Sequence, residues 1–220
     1  LDALGGILDF GVLPSQAEYL QTIDVGNSYR SQYTTEKHRA HLAIRRIHDT
    51  ESYKYLYGIV TDAVRKDESL HYWRTNNSYN KRGGNWLTEP MLYLECRPNG
   101  TRKLGFKARY DSQQSTPSLV QKLNIQDTSN PLAITLGNPG LKISRRHHVN
   151  LQTSRGQFGA YWWLETDFIF LDNLVANGFT YNPTSGAYTY RPENVKGNWN
   201  STAVLGGNRF LDKEQRLLMR

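Results

Sequence analysis

The densest concentration of reactive side chains is Arg145-Arg146-His147-His148. On an extended strand, Arg146 and His148 share one face and Arg145 and His147 the other, because successive side chains alternate. Guanidinium groups take phosphate in a bidentate grip. A neutral imidazole accepts a proton, and its cation donates to a phosphoryl oxygen. Glu165 stands just after the aromatic run Tyr161-Trp162-Trp163 and supplies a second acid or base. His148, His147 and Glu165 are therefore the candidate catalytic residues, suited to metal-free phosphodiester cleavage or to transfer onto a nucleotide. The plainer reading is an exposed basic strand and an aromatic stretch buried in the core. No nucleophile is fixed beside His148, so the sequence leaves open whether the protein is an enzyme.

Metal and cofactor signals are weak. His38, His41 and His48 share a side only if residues 35–48 are helical, and Arg45 among them repels a cation. No metal is expected, and no cofactor is indicated. Nucleotide-binding glycine loops, the zinc-protease helix motif, calcium loops and the nucleophile elbow are all absent from the sequence. Leu4-Gly5-Gly6-Ile7-Leu8-Asp9-Phe10-Gly11 resembles the helix motif of LAGLIDADG homing endonucleases. It departs from that motif at Phe10, where the metal-holding acid belongs, and no second copy follows.

Charge placement gives the leading functional expectation. The formal net charge is +7, and it is concentrated in blocks. Residues 76–110 carry Lys81, Arg82, Arg97, Arg102, Lys103, Lys107 and Arg109 against Glu89 and Glu95. Residues 141–157 carry Lys142, Arg145, Arg146 and Arg155 and no acid. Clustered cations are the footprint expected for a polyanion partner, or else a surface chosen for solubility. Tyr72 and Trp73, followed by Lys81, Arg82 and a Gly pair, suit a loop that grips single-stranded nucleic acid by stacking and charge. The candidate nucleic-acid contacts are thus Tyr72, Trp73, Lys81, Arg82, Arg102, Lys103, Lys107, Arg109, Lys142, Arg145 and Arg146.

From this the first expectation is a nucleic-acid-binding domain, a nuclease or a viral structural protein. A second is a toxin-like enzyme acting on RNA or a nucleotide cofactor. A third is a non-enzymatic β-rich module for carbohydrate or protein. Nucleic acid is the expected partner, with a homo-oligomer as a further possibility. No membrane contact is expected, because no apolar run approaches the ~18 residues of a spanning helix. The single cysteine, Cys96, excludes an internal disulfide and leans towards an intracellular location.

The elements that must position these residues read as an α+β domain, mainly antiparallel sheet with a few short helices. Residues 1–25, acidic and interrupted by Pro14, read as an appended segment with a short helix over Ser15 to Thr22. Residues 26–220 read as a single basic domain. Alternation points to hairpins over His41 to Val60 and over Met91 to Tyr110, the latter turning at Pro98-Asn99-Gly100. Leu92, Leu94 and Cys96, then Leu104, Phe106 and Ala108, form a core face opposite a basic one. Strands are expected over Pro131 to Leu136 and Leu141 to Leu151, and a hairpin over Phe179 to Tyr190. Helices are expected after Thr116-Pro117, over Leu164 to Ala176, where Leu164, Phe168, Leu171 and Val175 fit a helical face, and from Asp212 onward.

Overall fold

The structure, a computed structural model, describes residues 15, 28–74, 77–100, 103–128, 130–157, 160–212, 214 and 216–219. The expected N-terminal segment and its motif lie outside the described residues, apart from Ser15. The elements are β1 (Tyr29–Asp49), β2 (Tyr53–Arg74), β3 (Asn77–Pro98), β4 (Leu104–Ser115), β5 (Gln126–Asp127) and β6 (Ala133–Leu136). They continue with β7 (Ser144–Gln157), β8 (Ala160–Asp172), β9 (Leu174–Asn182), β10 (Ala187–Val195), β11 (Asn198–Phe210) and β12 (Leu218–Met219).

Eight of these form one sheet, in the order β1-β2-β3-β4-β7-β8-β11-β12, antiparallel throughout. The first three strands are 21, 22 and 22 residues long, several times the usual strand of about 5–6. Among the described residues the sheet is open, since β1 pairs there only with β2. Its two ends differ. At one end the connections are tight: residues 50–52, 99–103 and 158–159. At the other end only residues 75–76 separate β2 from β3, but β4 reaches β7 through residues 116–143 and β8 reaches β11 through residues 173–197. Those two long connections carry the second sheet, ordered β5-β6-β10-β9. It is antiparallel except where β10 runs parallel to β6.

The apolar core is small and lies at the long-connection end. Leu70 and Tyr72 of β2 pack with Leu119 and Leu123 of the β4–β7 connection, with Ile125 against them. Lys81 Nζ donates to the carbonyl of Lys122, and Arg74 Nη1 to that of Gln126, which fixes the connection to the β2–β3 arm. Leu70 is the largest fully buried side chain among the described residues.

The expectation of a mixed α+β fold is overturned: the described residues contain no helix and form an all-β structure. Leu164 to Ala176 is strand β8 and the start of β9, with Asn173 between them at φ 52°. The apolar residues there fit both periods. Leu164, Phe168 and Phe170 also alternate, and β8 is hydrogen-bonded on both edges, to β7 and β11, so pairing outweighs local helical spacing. After Thr116-Pro117 there are only two overlapping turns, closed by Lys122 N to Leu119 O and Leu123 N to Val120 O. In the tail, the Asp212 carboxylate accepts from the backbone N–H groups of Arg216 and Leu217, and β12 follows in place of a helix. Residues 71–74 and 77–86, expected as part of a loop, belong to the end of β2 and the start of β3. The hairpins at 41–60 and 91–110 are present, and Gly100 has the positive φ, 130°, that its turn was expected to need.

Candidate functional site

The residues that stand out in the main sheet form two whole faces. Directly paired residues in an antiparallel ladder project to the same side. One row therefore runs Ile44, Ile59, Leu92, Tyr110, Val149, Phe168 and Ser201 from β1 to β11. The next runs Arg46, Tyr57, Leu94, Ala108, Leu151, Thr166 and Ala203. A third runs His48, Tyr55, Cys96, Phe106, Thr153, Leu164 and Leu205, with Leu104 and Trp162 beyond it towards the tight turns. This apolar face is exposed: Ile44 is 59% exposed, Phe168 50% and Leu205 73%.

The opposite face is polar along the same strands. Its rows include Met91, Asp111, His148 and Ile169, then Tyr93, Arg109, Asn150 and Asp167, then Glu95, Lys107, Gln152 and Glu165. The charges pair with one another. Glu95 binds Arg97 Nε at 2.6 Å and Lys107 Nζ at 3.3 Å. Asp111 meets Arg109 Nε at 3.2 Å and Arg146 Nη1 at 4.0 Å. His148 lies between two carboxylates, with Nδ1 3.2 Å from Asp111 and Nε2 2.7 Å from Asp167. The Asn150 amide donates to Glu165 at 2.9 Å and to Asp167 at 3.0 Å.

The electrostatics follow from these contacts. The hydrogen bonds from Asn150 and then His148 hold the Asp167 carboxyl below the ordinary range. Arg97, and then Lys107, do the same for Glu95 against the opposing effect of burial. Further along this face Glu68 is buried, which alone raises its affinity for a proton. Hydrogen bonds from Lys66 and Tyr33 outweigh burial and hold it low.

The candidate residues distribute over both faces. His148, Glu165, Lys107, Arg109 and Arg146 are on the polar face, and the carboxylates of Glu95, Asp111 and Asp167 are their near neighbours. Arg145 and His147 are on the apolar face, where His147 Nδ1 is 2.8 Å from the Tyr110 hydroxyl and its ring meets Phe170. Trp73 and Arg82 belong to that face too, whereas Tyr72 is buried in the small core and Lys81 holds Lys122. Lys103 places Nζ 5.6 Å from the Tyr53 ring centroid. Lys142 is tied by its backbone N–H to the Asn194 side chain. Arg102 lies outside the described residues. The His38, His41 and His48 set does not converge, since β1 sends His41 to the face opposite the other two. Among the described residues no group of His, Cys, Asp or Glu is placed to hold a metal.

Sequence reasoning missed the apolar face as a surface. It read Leu92, Leu94, Leu104, Phe106 and Ala108 as core. The usable signal was the repetition of that alternation on strand after strand, with tight turns at one end and without enough apolar residues on other elements to cover it.

No family model matches the chain, and no curated protein matches it. Among solved structures it is similar to the crystal structure of the siderophore receptor PirA from Pseudomonas aeruginosa. The identity is 14%, the TM-score 0.40, and the match covers 83% of this chain and 41% of that one. A likeness so loose carries neither fold nor function across.

Proposed function

We propose that the main sheet is part of the wall of a membrane-spanning β-barrel, with the apolar face against lipid and the polar face turned to the interior. The observation that carries this is the inversion of the sheet: the carboxylates and imidazole of its polar face, Glu95, Asp111 and His148, are largely buried, with Lys107 and Arg109 reaching outward from them, whereas Ile44, Leu92, Phe168 and Trp162 on the other face are exposed. A protein surrounded by water gains by the reverse arrangement. The apolar rows run from Tyr53 to Ala63 on β2 and from Trp162 to Phe170 on β8, close to the ~9–11 residues a tilted strand needs to cross a bilayer. Both connections longer than twenty residues are at one end of the sheet, an asymmetry that such barrels share.

The expectation of no membrane contact rested on the lack of an apolar run. That test applies to helices; no helix here is long and apolar enough to cross a membrane, which says nothing of crossing by strands. Crossing strands alternate and show no such run.

In lipid an open sheet edge is untenable, because unpaired backbone groups find no water. The edges at β1 and β11 therefore require further strands. β1 and β11 point the same way, so all-antiparallel closure takes an odd number of strands between them. The first of these is β12, antiparallel to β11 at Arg209 and Phe210.

Nucleic-acid binding through Lys107, Arg109 and Arg146 is the alternative proposal, and phosphate would there compete with Glu95 and Asp111. One experiment separates the two. Protein diluted from urea into phosphatidylcholine vesicles is floated on a density gradient with a labelled oligonucleotide present. The barrel reading expects the protein to rise with the vesicles and leave the oligonucleotide behind. A monomer that stays dissolved, folded and bound to the oligonucleotide in a salt-sensitive way overturns it.

A further inference from the structure

The lipid-facing side of the sheet is asymmetric in charge, and this rests on the barrel reading above. Towards the long connections the apolar face ends in mixed charges: Glu36, Arg65, Asp67, Arg82, Arg145 and Asp172. Towards the tight turns its charged residues are cations, and the acids Asp212 and Glu214 of the connection after β11 are paired with Arg216. Arg46 lies on β1, Arg155 on β7 and Arg209 on β11, and Lys103 leans over Tyr53. Among the described residues no carboxylate lies on this face from the Ile44 row to the turns. Asp49 belongs to the opposite face, where it meets Lys54 at 3.8 Å, and Glu51 is in the β1–β2 turn.

Arg46 sharpens the point. It stands in the apolar band, paired with Tyr57 and one residue pair from Ile44 and Ile59, and it is exposed. A guanidinium at lipid depth extends to the interface and takes a counter-ion there. Around the cations lie Tyr53, Tyr55, Tyr57 and Trp162, the ring types that settle at the headgroup level.

We propose that this rim binds the phosphates of anionic glycerophospholipids in the leaflet at the tight-turn end. Each Arg or Lys near an anionic surface gains about 1 kcal/mol, roughly a fivefold local enrichment. Trp162, directly paired with Arg155, is the natural probe; Trp199, paired with Phe170 near the other edge of the band, is the control.

The protein, carrying either Trp162 or Trp199 as its only tryptophan, is reconstituted in mixed phosphatidylcholine and phosphatidylglycerol vesicles. Either lipid in turn carries bromine on its acyl chains. The expected result is several-fold stronger quenching of Trp162 by brominated phosphatidylglycerol than by brominated phosphatidylcholine, with no such preference at Trp199. Arg155→Gln with Arg209→Gln should remove the preference, and Arg155→Lys should keep it. Equal quenching of Trp162 by both lipids overturns the headgroup site and leaves the barrel reading standing. Absence of quenching by either lipid, at both tryptophans, overturns the barrel reading itself.

Discussion

The two faces of the main sheet are built by the same strands and obey opposite rules. On β4, Leu104, Phe106 and Ala108 project to one side and Lys107, Arg109 and Asp111 to the other. The polar side satisfies itself: cations meet carboxylates and His148 lies between two of them. Among the described residues the apolar side has nothing to cover it, since the second sheet and the long connections gather at one end. Alternation alone thus fixes that there are two faces, and it does not fix which one meets solvent. In most sheets the apolar face is covered by another layer; here the chain provides no such layer among the described residues.

The largest expected effect comes from placing a charge at the middle of the apolar face. Leu92→Arg should cost about 2–4 kcal/mol in lipid, the usual penalty for a cation at the midplane of a barrel wall. Gln152→Arg, on the polar face between Lys107 and Glu165, should cost far less. Urea titration of the vesicle-bound protein measures both, and equal costs would erase the distinction between the faces.

Much of this architecture was legible in the sequence. The Pro98-Asn99-Gly100 turn announces its hairpin, and Arg146 and His148 share a face as alternation requires. What was not legible is physical in origin. The spacing of Leu164, Phe168 and Leu171 satisfies a helical period as well as a strand, and only the pairing of β8 with β7 and β11 decides between them. Cations counted along the chain look like a polyanion site, whereas across strands Glu95 meets Lys107 and Asp111 meets Arg146. Partners that meet through pairing are invisible to a linear count of charge.

Smaller effects sharpen the comparison. Gly100→Val places a β-branched residue at φ 130° and should cost about 1–3 kcal/mol, read as a lower urea midpoint. Asp111→Asn should cost a similar amount, about 1–3 kcal/mol, because Arg109 and Arg146 lose their anion on the polar face and His148 loses one of its two. A wild-type midpoint in this variant would mean that the ion pairs are ornamental.

Acid should weaken the polar face. Asp167 and Glu95 are held below their unfolded values, so the folded protein binds fewer protons than the unfolded one. Their contribution is fully present above about pH 4–5 and is lost as pH falls through the lowered values. Asp167→Asn should flatten that acid limb of the stability profile, whereas Leu94→Ala should lower stability equally at every pH.

Trp162 and Trp163 test the central claim most directly. They are neighbours in β8, yet Trp162 pairs with Arg155 on the apolar face, whereas Trp163 lies on the polar face over Gly206. Single-tryptophan proteins are reconstituted in vesicles whose lipids carry bromine on the acyl chains. The barrel reading predicts strong quenching of Trp162 and little of Trp163. Equal quenching of the two, or quenching of Trp163 alone, would contradict it.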